Sequence, residues 1–446
     1  MGTTEDRAGR WRLTVSGLGL VTIVAYGVAY YSYGVLIDPI RTTTGWSSPA
    51  LGAVFSGVLV IGGAGALVGG RLVDRLGTRP AFLLAGTVGA SAVAAASYQH
   101  ELPAFAVLYA VGCGLITALG FYNITQPASI RAAVKEPERA VVWLTVIGAF
   151  SSPIFLPVTA ALVDGVGWRS TIRVLAAVAA ATFLPMAALQ GTKRPHAEGR
   201  GAPVSVPDAL RDAWKAPGFR RWVLASLISG AGVDIILVYQ VPVMIAAGLP
   251  IGAAATIGGI RGFAQLAGRL PLSPLLRRLG ARRTIVLSLI VAAAGTLLLL
   301  ASGHVAPAVL YSLLAGASIG AMYTLQGIYT NELVGGANLS MLMGVQAAVF
   351  AIGGATGPVI AGTLFGATGS YVLVVFLTAA GLAVAALLMS TAAGARARGT
   401  RARERGRRLG LGDGRVVEFV DEPSDQVGDP VARRADLVER AALGVR

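Results

Sequence analysis

Twelve apolar runs follow one another along this chain, at about 14–38, 48–71, 80–98, 103–126, 140–163, 170–190, 221–247, 252–275, 284–302, 306–329, 340–365 and 370–393. A bilayer core about 30 Å thick takes about 20 apolar residues per helix. Backbone in lipid must satisfy its own hydrogen bonds, which a helix does. The runs therefore predict an all-α membrane protein with twelve transmembrane helices. Composition agrees, because only 13% of the residues are charged, about half the share usual in a soluble domain. Glycine, at 59 residues, suits helices whose backbones approach closely in lipid. The lone cysteine, Cys113, lies inside a run, which excludes an internal disulfide. The polar start, residues 1–13, is followed by no cleavage-type segment, so the first run is expected to be a retained helix with its N-terminus in the cytoplasm.

The net charge of +15 invites a nucleic-acid reading, which its placement argues against. Basic residues collect between alternate runs, as the cytoplasmic loops of a membrane protein do. Arg7, Arg10 and Arg12 form one group, then Arg71, Arg75 and Arg79, then Arg131, Lys135 and Arg139. Further groups lie in the middle connection and at Arg277, Arg278, Arg282 and Arg283, whereas the intervening loops hold Arg41, Arg169 and Arg173. This asymmetry places both termini in the cytoplasm and the chain in the inner membrane.

The connection 191–219 is polar and joins the sixth run to the seventh, so it reads as a cytoplasmic linker between a bundle at 14–190 and a second at 220–393. From 394 to 446 the chain is Arg-rich and lacks the apolar residues for a core, which predicts a disordered cytoplasmic tail. The halves repeat each other. Gly77 and Gly280 stand 203 positions apart, while Pro157 and Pro358, like Tyr122 and Tyr323, stand 201 apart. Two pseudo-symmetric six-helix bundles follow.

The stretch Gly70-Arg-Leu-Val-Asp74-Arg75-Leu-Gly77-Thr-Arg79 resembles the loop motif of the major facilitator superfamily, with Thr78 in place of a basic residue. The resemblance implies that Gly70, Asp74, Arg75, Gly77 and Arg79 serve conformational change and not substrate contact. Tyr33-Gly-Val-Leu-Ile-Asp-Pro-Ile, Gly45-Trp46-Ser47, Phe121-Tyr-Asn-Ile-Thr-Gln-Pro, Gly167-Trp168-Arg169 and Ala267-Gly268-Arg269-Leu270 resemble bacterial monocarboxylate-porter-like and oxalate–formate-antiporter-like members. That likeness implies movement of a small organic anion, coupled to protons or to a counter-substrate. The chain departs from it at Gln265, where such carriers have an acidic residue four before the arginine.

Charges in lipid carry the chemistry. Arg261 and Arg269 fall within the eighth run and Asp234 within the seventh. Each costs about 2.5–3.5 kcal/mol at a helix centre on an insertion scale, so such residues face a partner or a water-filled cavity. Asp234 and Arg261 both fall near mid-membrane and are expected to be neighbours, with Asp234 as an ion-pair partner or a proton carrier. On a continuous helix Arg261, Gln265 and Arg269 form one stripe, and guanidinium forks suit carboxylates. The plainer alternative is that Arg261 only neutralises Asp234.

Tyr26, Tyr30 and Tyr33 recur on one helical face. With Tyr122, Asn123 and Gln126, Tyr239 and Gln240, and Tyr323 and Gln326, they fall in the spans that line the cavity in the superfamily. Interfacial anchoring is the alternative for each tyrosine. The histidines, His100, His196 and His304, fall in loops, and the sequence shows no metal-ligand cluster, phosphate loop or catalytic triad. The expectation is a non-enzymatic secondary transporter, monomeric and without cofactor, that moves a monocarboxylate or related anion by alternating access. Efflux of an amphiphilic drug or metabolite is the alternative.

Overall fold

In a computed structural model that describes residues 4–133, 136–189, 211, 214–215, 217–334 and 339–391, the chain is helical and no strand occurs among the described residues. Ten helices are long and apolar enough to cross a membrane. One of these, Arg139–Leu189, holds two spans in series, because Gly167 takes φ +75° and ψ 162° inside it. The helix Ile251–Ala267 is shorter and packs among the others, which completes the twelve.

We number them as follows. Helix α1 comprises Thr4–Tyr26, a π turn at Gly27–Tyr31, and Ser32–Thr44. Then come α2 (Ser48–Leu76), α3 (Thr78–Ala96) and α4, which runs Leu102–Gly120 and resumes as Tyr122–Ala132. Helix α5 covers 137–166 and α6 covers 168–189. The second bundle holds α7 (Pro217–Ala246), α8 (Ile251–Ala267), α9 (Leu272–Leu297), α10 (Val305–Val334), α11 (Leu339–Thr368) and α12 (Val372–Ser390). The first helix begins well before residue 14. Most of the 191–219 linker and the 394–446 tail lie outside the described residues.

The repeat has a structural counterpart. Gly77, after α2, takes φ +83° and ψ −179°, and Gly280, inside α9, takes φ +75° and ψ 164°. A side chain with a Cβ is strained at such φ values, so both positions require glycine to break the helix.

Helix α8 departs from the expected boundary. It ends at Ala267, and a turn over 268–271 leads into α9. Pro271 has no N–H to continue the ladder, and Gly268 lies so close to Ala317 of α10 that its own Cβ would meet that backbone.

Close backbone approach also joins the two bundles. A Cβ on Gly34 of α1 would meet the Val238 carbonyl of α7, and one on Gly52 of α2 would meet the Pro358 carbonyl of α11. Gly362 of α11 sits against Ser48 in the same way. Between α5 and α8, Gly259 faces Pro153 and Phe150 packs edge-on to Phe263 at 5.5 Å. The Arg41 guanidinium of α1 lies 5.4 Å from the Phe365 ring of α11 and pairs with Asp38 at 3.2 Å. The contacts of Gly34, Gly52, Gly362 and Arg41 lie between mid-helix and the end that carries the turns at 45–47, 248–250 and 369–371, whereas Phe150 and Phe263 meet near the middle of α5 and in the last turns of α8. Toward the other end Tyr323 is 44% exposed although it sits mid-way along an interior helix. The seam between the bundles is packed at the end that carries these turns.

Candidate functional site

Tyr30 lies within the π turn of α1, and its hydroxyl donates to the Asp234 carboxylate of α7, across the seam between bundles. Asp234 is buried, and its Oδ2 packs where Gly354 of α11 lacks a side chain. Asp234 and Arg261 form no ion pair within 4.0 Å. The expected pairing is thus corrected. A phenol from the opposite bundle, not the guanidinium, reaches the acid.

Arg261 of α8 is wholly buried. Its Nε donates to Gln240 Oε1 of α7 at 3.1 Å, and Tyr311 of α10 donates to the same oxygen at 3.2 Å. Gln240 Nε2 donates back to the Leu237 carbonyl at 3.2 Å. The backbone of α8 is seated on α10 by Gly316 against the Arg261 carbonyl and Gly320 against the Gln265 carbonyl. Both terminal nitrogens of Arg261 are buried without a hydrogen-bond partner, and the guanidinium carbon lies 5.5 Å from the centre of the Tyr31 ring. A buried cation with unspent donors is costly, and inside a membrane such a group marks a functional position.

Tyr31 is a residue that the sequence periodicity passed over. The π turn adds a residue to the local repeat, so Tyr31 joins Tyr26 and Tyr30, with ring centroids 6.3 Å and 5.5 Å away. Tyr33, placed with them by regular helical spacing, turns instead into the first bundle. There it stacks on Phe55 and donates to the Leu51 carbonyl at 2.5 Å. Phe121, also passed over, stacks on Tyr26 at 3.6 Å, with Tyr122 5.6 Å from Tyr26. Its position follows from the break in α4, where Phe121 is extended at ψ 176° between two helical segments.

The remaining expected residues divide. Tyr323 is partly exposed and lies 6.1 Å from Phe350. Arg269 sits on the turn after α8 and not within a span, half-buried and with its Nε unpartnered. The stripe with Arg261 and Gln265 is therefore broken by the early end of α8; Gln265 and Gln326 are half-buried. Asn123 spends its amide locally, donating to the Ala118 carbonyl at 3.1 Å across the break. Tyr239 is apart from the cluster, donating to the Pro358 carbonyl at 3.0 Å in the closed seam. The side chains of Gly70, Asp74 and Arg75 lie outside the described ones, while Gly77 makes the positive-φ break and Arg79 is exposed.

Two helical bundles, packed together at one end over a buried acid and a buried guanidinium, define a polytopic membrane carrier. The family model of the Major Facilitator Superfamily matches residues 18–260 and 246–424, and the chain belongs to that superfamily. It is a multi-pass secondary transporter of a small-molecule solute, not an enzyme. No curated protein matches it. Among solved structures it is similar to a nucleoside transporter, NupG, at TM-score 0.70 and 14% identity, over 85% of this chain and 98% of that one. A bacterial homologue of the human lysosomal transporter Spinster, inward-facing and occupied, gives 0.68 and 14% over 88% and 97%. A D-xylose–proton symporter gives 0.65 and 13% over 85% and 97%. At these identities the likeness concerns the fold.

Proposed function

We propose that the protein is a proton-coupled transporter of a small organic anion, a monocarboxylate or a related acid, that works by alternating access of its two bundles. The observation that carries this is Arg261, wholly buried with both terminal nitrogens unspent. A guanidinium so placed offers two parallel N–H donors, the geometry a carboxylate accepts bidentately. Gln240 fixes the Nε side of the fork and leaves the other edge for the solute. The sequence likeness to monocarboxylate-porter-like and oxalate–formate-antiporter-like members supports the same class.

Asp234 is the group for the proton. It is buried, joined to the other bundle through Tyr30, and unpaired with Arg261, so gaining or losing a proton changes a bond that spans the moving seam. With the arginine-rich loops in the cytoplasm, both termini lie inside and the packed end of the seam faces outward. Asp74 and its motif on α2 then govern the change of state, and the carrier functions as a monomer in the cytoplasmic membrane.

A second reading, efflux of an amphiphilic ring-bearing compound, has the aromatic lining of Tyr26, Tyr31, Phe121, Tyr122 and Tyr323 in its favour. Reconstituted carrier separates the two. Counterflow of carboxylates and their uphill uptake under a pH gradient, both lost in Arg261→Gln, are expected. Exchange of neutral dyes with no carboxylate exchange, or an Arg261→Gln variant that exchanges carboxylates normally, overturns the anion reading.

A further inference from the structure

The guanidinium that the proposed function assigns to the solute is covered by a ring. Tyr31 lies over Arg261 at 5.5 Å, a cation–π contact that partly offsets a buried charge. Arg261 is fully buried, so a carboxylate reaches its terminal nitrogens only when the covering side chains, Tyr31 among them, move aside. Tyr31 is the last residue of the π turn, where the backbone of α1 departs from the regular ladder, a feature frequent at functional sites.

What Tyr31 leaves has to be replaced. The half-buried rings around it form one aromatic surface: Tyr26 at 6.3 Å with planes 29° apart, Phe121 stacked beyond Tyr26 at 3.6 Å, and Tyr122 at 5.6 Å from Tyr26. From the second bundle Tyr323 is 44% exposed and lies 6.1 Å from Phe350. Asn123 is spent on Ala118 and Tyr30 on Asp234, so the surface offers ring faces with phenol hydroxyls at their edges. A flat ring finds faces here, each ring contact contributing about 0.5–1.5 kcal/mol beyond its buried area.

We infer that the site selects carboxylates that carry an aromatic ring, with Tyr31 as the selecting residue: the solute's carboxylate takes the two free nitrogens of Arg261 while its ring enters the aromatic surface that Tyr31 belongs to. This rests on the anion reading of Arg261 and narrows it to aryl carboxylates.

The test is inhibition of radiolabelled benzoate counterflow in proteoliposomes of the full chain. The competitors are unlabelled benzoate, cyclohexanecarboxylate, propionate and benzamide. Benzoate is expected to compete at least about tenfold better than cyclohexanecarboxylate or propionate, a margin that one or two ring contacts supply, and benzamide is expected to fail. Tyr31→Leu should reduce the preference for benzoate over cyclohexanecarboxylate to less than about twofold, while Tyr31→Phe keeps it. If Tyr31→Leu does not insert, Tyr323→Leu serves the same comparison from the other bundle. Equal competition by cyclohexanecarboxylate overturns the aryl preference and leaves the anion reading standing. Equal competition by benzamide, or no benzoate counterflow together with no propionate counterflow, overturns the anion reading and this inference with it. A preference for benzoate that survives in Tyr31→Leu, or in Tyr323→Leu where that variant is used, removes the selecting role given to these rings.

Discussion

Tyr30 of α1 donates its hydroxyl hydrogen bond to Asp234 of α7, so a buried acid of one bundle is held by a phenol of the other. Bonds of this kind have to break when the bundles rock apart, and their strength sets how the closed seam is weighted against its alternative. A hydrogen bond to a charged group contributes about 1.5–3 kcal/mol. Tyr30→Phe is therefore expected to lower the melting temperature of the purified carrier and to weaken closure of the seam. A thermal-shift scan checks the first, and a melting temperature equal to that of the native protein would show that the bond contributes nothing.

Asp234→Asn should separate exchange from accumulation. Solute-for-solute counterflow needs no net proton movement, so it should persist, whereas uphill uptake driven by a pH gradient should be lost. Measuring both in one proteoliposome preparation decides the matter. Gradient-driven accumulation at native levels would remove the proton role from Asp234.

Gly354 gives room to the Asp234 carboxylate, since a Cβ there would meet Oδ2. Gly354→Ala is expected to destabilise by about 1–3 kcal/mol through overpacking. In an Asp234→Ala background the same change should cost much less, because the clashing oxygen is gone. A double-mutant cycle on melting free energies gives the coupling. Additive losses would place the two groups out of contact.

Gln240 accepts from both Arg261 and Tyr311. Gln240→Leu leaves the buried Arg261 Nε unpaired, while Tyr311 keeps the Ile236 carbonyl at 3.5 Å, and should cost about 1–3 kcal/mol. Arg261→Lys keeps the charge but loses the fork, so the half-saturation concentration for a carboxylate should rise about tenfold or more. Uptake kinetics compare the two, and unchanged half-saturation in Arg261→Lys would exclude bidentate binding.

At the packed end, Gly362 of α11 lies against Ser48 of α2. Gly362→Trp leaves no room for that approach, so the variant should insert normally, fail to close this end and fail to transport. In a Cys113→Ser background, a cysteine placed at Ser370 should then react with an impermeant maleimide. Full transport by Gly362→Trp would mean that the α2–α11 contact takes no part in the cycle.

The twelve helices, the two-bundle repeat and the buried position of Arg261 and Asp234 were legible without coordinates. Each follows from a property of the residues themselves: about twenty apolar side chains span a bilayer, and a charge among them is expensive enough to be exceptional. The glycine pair at an offset of 203 marked the repeat because Gly77 and Gly280 both take a φ that other residues avoid.

Which side chains meet was decided only in three dimensions. Regular helical spacing grouped Tyr33 with Tyr26 and Tyr30, but the π turn at Gly27–Tyr31 brings Tyr31 in and turns Tyr33 away. One added residue in the repeat rotates everything after it, and no residue type announces a π turn. The same spacing ran Arg269 into a stripe with Arg261, yet α8 stops at Ala267 where Gly268 meets the backbone of α10. Asp234 and Arg261 were matched by depth and charge, while the structure gives Asp234 to Tyr30 and Arg261 to Gln240. Depth along a helix is set by sequence position. The direction a side chain faces depends on local helical register and on how closely neighbouring backbones approach, and those are properties of the packed bundle.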